Sequence, residues 1–245
     1  MKKFIAAVIV MLGAAGFIGC ESDSIVGDSS SSSDLPDAFQ KLDPGVDAYG
    51  ERNEVIIYSN GIPNHQSPYF GVGHPNYIAP HIGMVVNPNI IQEQNLVFRI
   101  PMNPEIADQT TETNLGPIGV ATNGVPLFNQ YAGRTATGQW IPLDDEIVTF
   151  DIYNGHPQRT GMYHYHFEPF YLTQYDSTAL IGWALDGFPI YGPYNDDGTL
   201  PVLDENNGEF GITEEYPQGI YHYHATDTEP YLVGNFRGKP GIVLQ

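Results

Sequence analysis

The chain has 245 residues with 9 Lys+Arg against 29 Asp+Glu, a net charge of −20, and a surface of that sign repels phosphate backbones and argues against nucleic acid as a partner. Aromatic residues make up 12% of the sequence, with 16 Tyr and 12 Phe, and 27 Gly and 20 Pro are spread along it. This composition suits pleated, half-buried surfaces, leaves no clean stretch for a long helix, and at this length points to one all-β domain.

The N-terminus opens with Met-Lys-Lys, an apolar run from Phe4 to Gly19 and a small residue before Cys20. This is the pattern of a secretory signal peptide over residues 1–19 and not of a membrane-spanning helix. Phe17-Ile18-Gly19-Cys20 also resembles a bacterial lipobox, with Phe17 in place of the usual Leu. Cys20 is the one cysteine of the sequence, so it has no disulfide partner, and a lipid anchor gives it a role. The expectation is an exported lipoprotein of the cell envelope held to the membrane at Cys20, or otherwise a secreted protein. Residues 20–46, with the serine run Ser29 to Ser33, read as a flexible tether, and folded structure is expected from Asp47 to the C-terminus.

Strands are expected at Glu54 to Tyr58, Leu96 to Ile100, Glu146 to Tyr153, Met162 to Phe167, Ile220 to Ala225 and Tyr231 to Phe236. At most a helical turn or two is expected, around Ser177 to Leu180. Two parts of the chain repeat one another, about 118–172 and 181–232. Ile118-Gly119-Val120-Ala121-Thr122-Asn123-Gly124-Val125-Pro126-Leu127-Phe128 matches Ile181-Gly182-Trp183-Ala184-Leu185-Asp186-Gly187-Phe188-Pro189-Ile190-Tyr191. Further on, Phe150-Asp151 with Asn154-Gly155 matches Leu203-Asp204 with Asn207-Gly208, and Gly161-Met162-Tyr163-His164-Tyr165-His166 matches Gly219-Ile220-Tyr221-His222-Tyr223-His224. The order is kept and only loop lengths differ, which implies a tandem duplication folded with pseudo-twofold symmetry. Asn123-Gly124 and Asp186-Gly187 read as tight hairpin turns, and Pro126 and Pro189 just after them suggest strands at an edge or a bulge.

Alternate side chains of a strand point to opposite faces, so His164 and His166 share one face while Tyr163 and Tyr165 share the other. The same holds for His222 and His224 against Tyr221 and Tyr223. If the pseudo-twofold axis passes between the motifs, four imidazoles converge on a single transition metal, copper or zinc. His156, beside the repeated Asn-Gly, and His65, after Asn60-Gly61-Ile62-Pro63, are further candidate ligands. Tyr163, Tyr165, Tyr221, Tyr223 and Asp186 are expected to support the ligands from outside. Asp186 stands where the other half has Asn123, which suggests a role in one half only. Asp151 and Asp204, each three residues before Asn-Gly, are the pattern of a side chain that holds its own turn. His74 and His81 read as surface residues, and Asn195 to Glu209 does not fit an EF-hand loop. No nucleophile elbow, His-Glu-x-x-His or phosphate loop is present in the sequence. The competing reading is a surface module for glycans or peptides, with its tyrosines and Trp183 as a stacking platform and its histidines structural.

At Gly182 to Pro193 and Gly219 to His224 the sequence resembles the YHYH-domain family, and Asn60 to His65 is similar to that family's opening motif. The resemblance runs from about Glu54 to Gly238 and implies a secreted or surface protein, without supplying a reaction. Asn235-Phe236 stands where similar proteins often carry a Cys.

Overall fold

The computed structural model describes Ser32, Ser33 and residues 35–245. The expected signal peptide, the Cys20 site and the tether up to Ser31 lie outside the described residues. The protein is all-β, and the one α-helix among the described residues is the four-residue Phe170–Thr173.

A five-stranded antiparallel sheet runs in the order Ser32–Ser33, Asp47–Glu51, Glu54–Ser59, Leu96–Pro101 and Ile242–Leu244. Leu96, Phe98 and Ile100 of its fourth strand are buried, while Val97, Arg99 and Pro101 between them are half-covered, the period-2 pattern of a strand with one face on a core. On the outer face Arg99 donates to Glu54 at 2.6 Å and to Glu51 at 3.1 Å.

The second sheet has eight strands and carries both repeats. From one edge it runs Gly155–Pro157, Tyr163–Tyr165, Pro126–Leu127 and Gly119–Ala121, then Leu180–Ala184, Pro189–Tyr191, Ile220–His224 and Gly208–Gly211. Read inwards from either edge, the sequence-related segments come in the same order with the same pairing senses, including the parallel pairs Leu127↔Tyr165 and Ile190↔Tyr223. At the centre Val120 pairs antiparallel with Trp183, its own counterpart in the repeat. Leu180–Ala184 is buried throughout, as a strand covered on both faces must be. Val55, Ile57, Phe98 and Ile100 of the first sheet join Val120, Leu127, Trp183 and Ile190 of the second in one hydrophobic cluster.

Several expectations are corrected here. Pro126 and Pro189 lie on interior strands and not at an edge, each as the first residue of its strand, where a missing N–H is tolerated, while the expected irregularity is found beside the Pro189 strand, at Leu180/Gly182 of its partner. Glu146 to Tyr153 is not a strand: Ile147–Thr149 is a 3-10 turn, and Asp151 accepts from the backbone N–H groups of Tyr153 and Gly155 through Oδ1. Tyr231 takes a positive φ of 61°, so the last expected strand begins only at Asn235. The helical turn falls at Phe170–Thr173, ahead of Ser177. Folded structure also begins before Asp47. Asp37–Lys41 is a 3-10 turn with Ala38 and Phe39 buried, and Phe39 stacks on Trp183 with ring centroids 4.1 Å apart. Trp183 is wholly buried and bonds Tyr216 through its indole N–H, which removes it from any sugar-stacking surface.

Candidate metal centres

The two YHYH strands lie second from opposite edges of the eight-stranded sheet. Five strand spacings of about 4.8 Å put them roughly 24 Å apart across the sheet. The expected convergence of four imidazoles therefore does not occur. Each motif instead builds its own cluster with a third residue from the neighbouring edge strand.

In the first cluster His156 lies opposite His164 in the antiparallel pair Gly155–Pro157 and Tyr163–Tyr165, and it points to the same face as His164 and His166. The candidate ligand atoms of these three residues all lie within 4.8 Å of one another, with His164 Nε2 and His166 Nε2 3.0 Å apart. In the second cluster the residue opposite His222 is Glu209. Its Oε1 lies 3.9 Å from His222 Nε2 and 3.6 Å from His224 Nε2. Glu209 was not singled out from the sequence, although Asn207-Gly208-Glu209 lines up with Asn154-Gly155-His156 and carried the signal.

The hydrogen bonds fix the tautomers. His164 donates from Nδ1 to the carbonyl of Met162 and His222 to that of Ile220, at 3.1 and 3.0 Å. His166 donates from Nδ1 to the carbonyl of Asn129, and His224 to that of Gly192, the residues after the repeat partners Phe128 and Tyr191. His156 Nδ1 meets Thr149 Oγ1 at 2.6 Å, and that hydroxyl donates its own hydrogen to the Glu146 carbonyl, so it accepts from His156. Carbonyl oxygens only accept, so every Nδ1 carries the hydrogen and every neutral Nε2 presents a lone pair. His224 Nε2 is buried without a hydrogen-bond partner.

All five imidazoles are buried, and burial is the main reason their pKa values fall. His156 is held at about 3, with His166 as a second cause. His166 and His224 are held at about 4. His164 is pushed well below the ordinary value by burial and then by its neighbours His156 and His166, and His222 is lowered by burial. Neutral imidazoles on fixed backbone acceptors are what a metal ligand set requires.

The surroundings of the clusters differ. Phe128 stacks on His164 at 4.0 Å, and Phe150 packs against His156 and His166 at 4.7 and 5.7 Å. Tyr191 replaces Phe128 beside His222, and its hydroxyl bonds Thr213 and Glu215. The first cluster opens on a cavity of about 360 Å³ also lined by Glu146 and Arg159, and the second on one of about 310 Å³ also lined by Asp196 and Asp197.

A family model described as YHYH protein matches residues 97–202 and 196–238. The chain belongs to the YHYH family. No curated protein and no solved structure matches it. YHYH membership supports a secreted or surface protein, and no helix among the described residues is long and apolar enough to cross a membrane.

The remaining expected site residues lie on the other face of the YHYH strands. His65 donates from Nδ1 to the Gln66 carbonyl at 2.9 Å and accepts at Nε2 from Tyr165 OH at 2.7 Å, so both ring nitrogens are engaged away from the clusters. Tyr163 bonds Asp151 and Tyr221 bonds Asp204, and the two aspartates hold their own turns as expected. Asp186 is fully buried and accepts from Tyr223 OH at 2.7 Å and from the backbone N–H groups of Arg237 and Gly238 at 2.9 and 3.0 Å. Its counterpart Asn123 instead donates to Tyr165 OH and to Asn64. The tyrosines and Asp186 thus brace the strands from behind and leave the imidazole hydrogen bonds to backbone carbonyls and Thr149, because strand alternation turns them away.

Proposed function

We propose that this YHYH protein is an exported, Cys20-anchored protein that binds two transition-metal ions, copper or zinc, in independent centres. The first consists of His156, His164 and His166, and the second of Glu209, His222 and His224. The observation that carries the proposal is the meeting of three unprotonated Nε2 atoms in a buried site, two of them 3.0 Å apart. Lone pairs that close repel unless a cation lies between them. A shared proton is a poor cation here, because burial holds these rings neutral far below pH 6.5. Three ligands at 2.0–2.1 Å from a tetrahedral ion are about 3.3 Å apart, close to the 3.0 Å between His164 and His166, and His156 lies within 4.8 Å of both. A fourth position facing a cavity admits an exogenous ligand, which suits metal delivery as well as hydrolytic or redox chemistry.

Elemental analysis of the purified protein tests this. About two equivalents of metal are expected by this count of centres, one lost in H164A/H166A and the other in H222A/H224A. A folded protein that takes up neither copper nor zinc ends the proposal. The glycan- or peptide-binding reading is favoured by one feature, a cavity of about 900 Å³ lined in part by Phe170, Tyr194 and Tyr231. Retained polysaccharide binding in both double variants is its expected signature.

A further inference from the structure

Resting on that reading of the clusters as metal centres, we propose that the third ligand position sorts them by cation charge. The His156 centre takes monovalent copper, Cu(I), and the Glu209 centre takes a divalent cation, represented by Zn(II). The two centres are alike in every other ligand. Each has a His-x-His pair on a YHYH strand, with both Nδ1 hydrogens on backbone carbonyls. The difference is one residue on the edge strand, facing His164 in one half and His222 in the other.

Burying an ion costs free energy that grows with the square of its charge unless ligand charge offsets it. Three neutral imidazoles offset nothing as ligands, so a divalent ion at the first centre, beside Phe128 and Phe150, would have no charged ligand to lower its charge. Cu(I) in three imidazoles and Zn(II) in two imidazoles and a carboxylate leave the same residual charge. Imidazole is a competent ligand for either metal, and a carboxylate shifts a site toward harder, divalent ions.

Most of the charges around the centres act in the same direction. Arg159 lines the first cavity and raises the cost of a second positive charge there. Glu146 acts the other way, with its carboxylate 3.7 Å from His156 Nε2, but unlike Glu209 it is not one of the groups whose ligand atoms all lie within 4.8 Å of one another. Asp196 and Asp197 line the second cavity beside Glu209, with Glu215 behind Tyr191, which favours the higher charge.

The test is competition titration of the purified full chain, with Cu(I) under anaerobic conditions and with Zn(II) in a separate series, each against a chromophoric chelator. H222A/H224A is expected to keep the Cu(I) site and lose Zn(II), and H164A/H166A to do the reverse. Exchanging the third ligand is expected to exchange the preference: E209H weakens Zn(II) and strengthens Cu(I) at the second centre, and H156E does the opposite at the first. The shift expected is about tenfold or more in relative affinity, or about 1.4 kcal/mol. E209Q removes the charge with almost no change of shape, so it reports even if a swap variant fails to fold. It is expected to lose Zn(II) affinity about tenfold while Cu(I) at the first centre is unchanged. Equal preference at both centres, or Zn(II) binding indifferent to E209Q and E209H, overturns this inference but leaves metal binding standing. Failure of the wild-type protein to bind either ion removes the metal reading itself.

Discussion

His156 depends on a side chain for its orientation, whereas the other four clustered imidazoles are held by backbone carbonyls. Thr149 accepts from His156 Nδ1 and passes its own hydrogen to Glu146 O, so Thr149→Val removes the acceptor and keeps the shape. The ring is then free to rotate or to change tautomer. Loss of such a partner costs about 10- to 100-fold in metal affinity, and T149V is expected to weaken the first centre by that factor and leave the second untouched in the same titrations. Equal weakening of both, or of neither, contradicts the role given to Thr149. Part of this detail was legible in the sequence. Alternation in Tyr-His-Tyr-His put the imidazoles on one face, and the repeated Asn-Gly placed His156 beside them. The carbonyls of Asn129 and Gly192 were not legible, because a backbone acceptor has no residue signature. Glu209 was concealed by its acidic loop, and His65 drew attention by its motif while its ring belongs to the tyrosine layer.

At the scale of elements, the central contact of the large sheet depends on two glycines. A Cβ on Gly119 would meet the Trp183 carbonyl oxygen at 2.6 Å, and one on Gly182 would collide with the carbonyl oxygen of Val120. Both obstacles are backbone in strands buried on all sides, so neither can yield cheaply. Gly182→Ala is expected to destabilise the protein by about 2–3 kcal/mol, the upper part of the range for overpacking a core, read as a lowered urea midpoint. Gly133→Ala is the control: its Cβ would touch only Ile141, at 4.0 Å, and a loss below about 0.5 kcal/mol is expected, as at ordinary surface positions. If G182A matches G133A, the centre of the sheet is packed more loosely than described. The strands with clean alternation, such as Leu96–Pro101, were legible because a period of two has one reading. Glu146 to Tyr153 misled because its apolar residues continue through a turn held by the Asp151 carboxylate. Pro126 and Pro189 misled as to an edge because a proline in first position leaves the rest of its strand free to pair.

At the scale of the whole molecule, the bracing of the sheet and the two centres meet in one property, stability against acid. Unfolded histidine takes up a proton near pH 6.5, whereas the folded protein holds His156 at about 3 and His166 and His224 at about 4 through burial. Between those values the unfolded chain binds more protons than the folded one, so the stabilisation is fully present above about pH 6.5 and is lost as pH falls toward 3–4. Each pH unit in that interval withdraws about 1.4 kcal/mol per histidine. By about pH 5 these three withdraw roughly 2 kcal/mol each, together comparable with the 5–15 kcal/mol that holds an ordinary domain. Asp186, Glu146, Asp43 and Asp196 have the opposite sign: burial raises their pKa values, so acid favours their folded forms and offsets part of this loss. The urea midpoint of the metal-free protein is therefore expected to fall steeply between about pH 6.5 and 5, and His156→Gln to flatten that slope by about one histidine's share. Bound metal should hold the midpoint up until protons displace it from the imidazoles. A midpoint that stays level over this range in the metal-free protein would mean that the imidazoles reach solvent, and the neutral, preorganised ligand sets on which both centres depend would not exist.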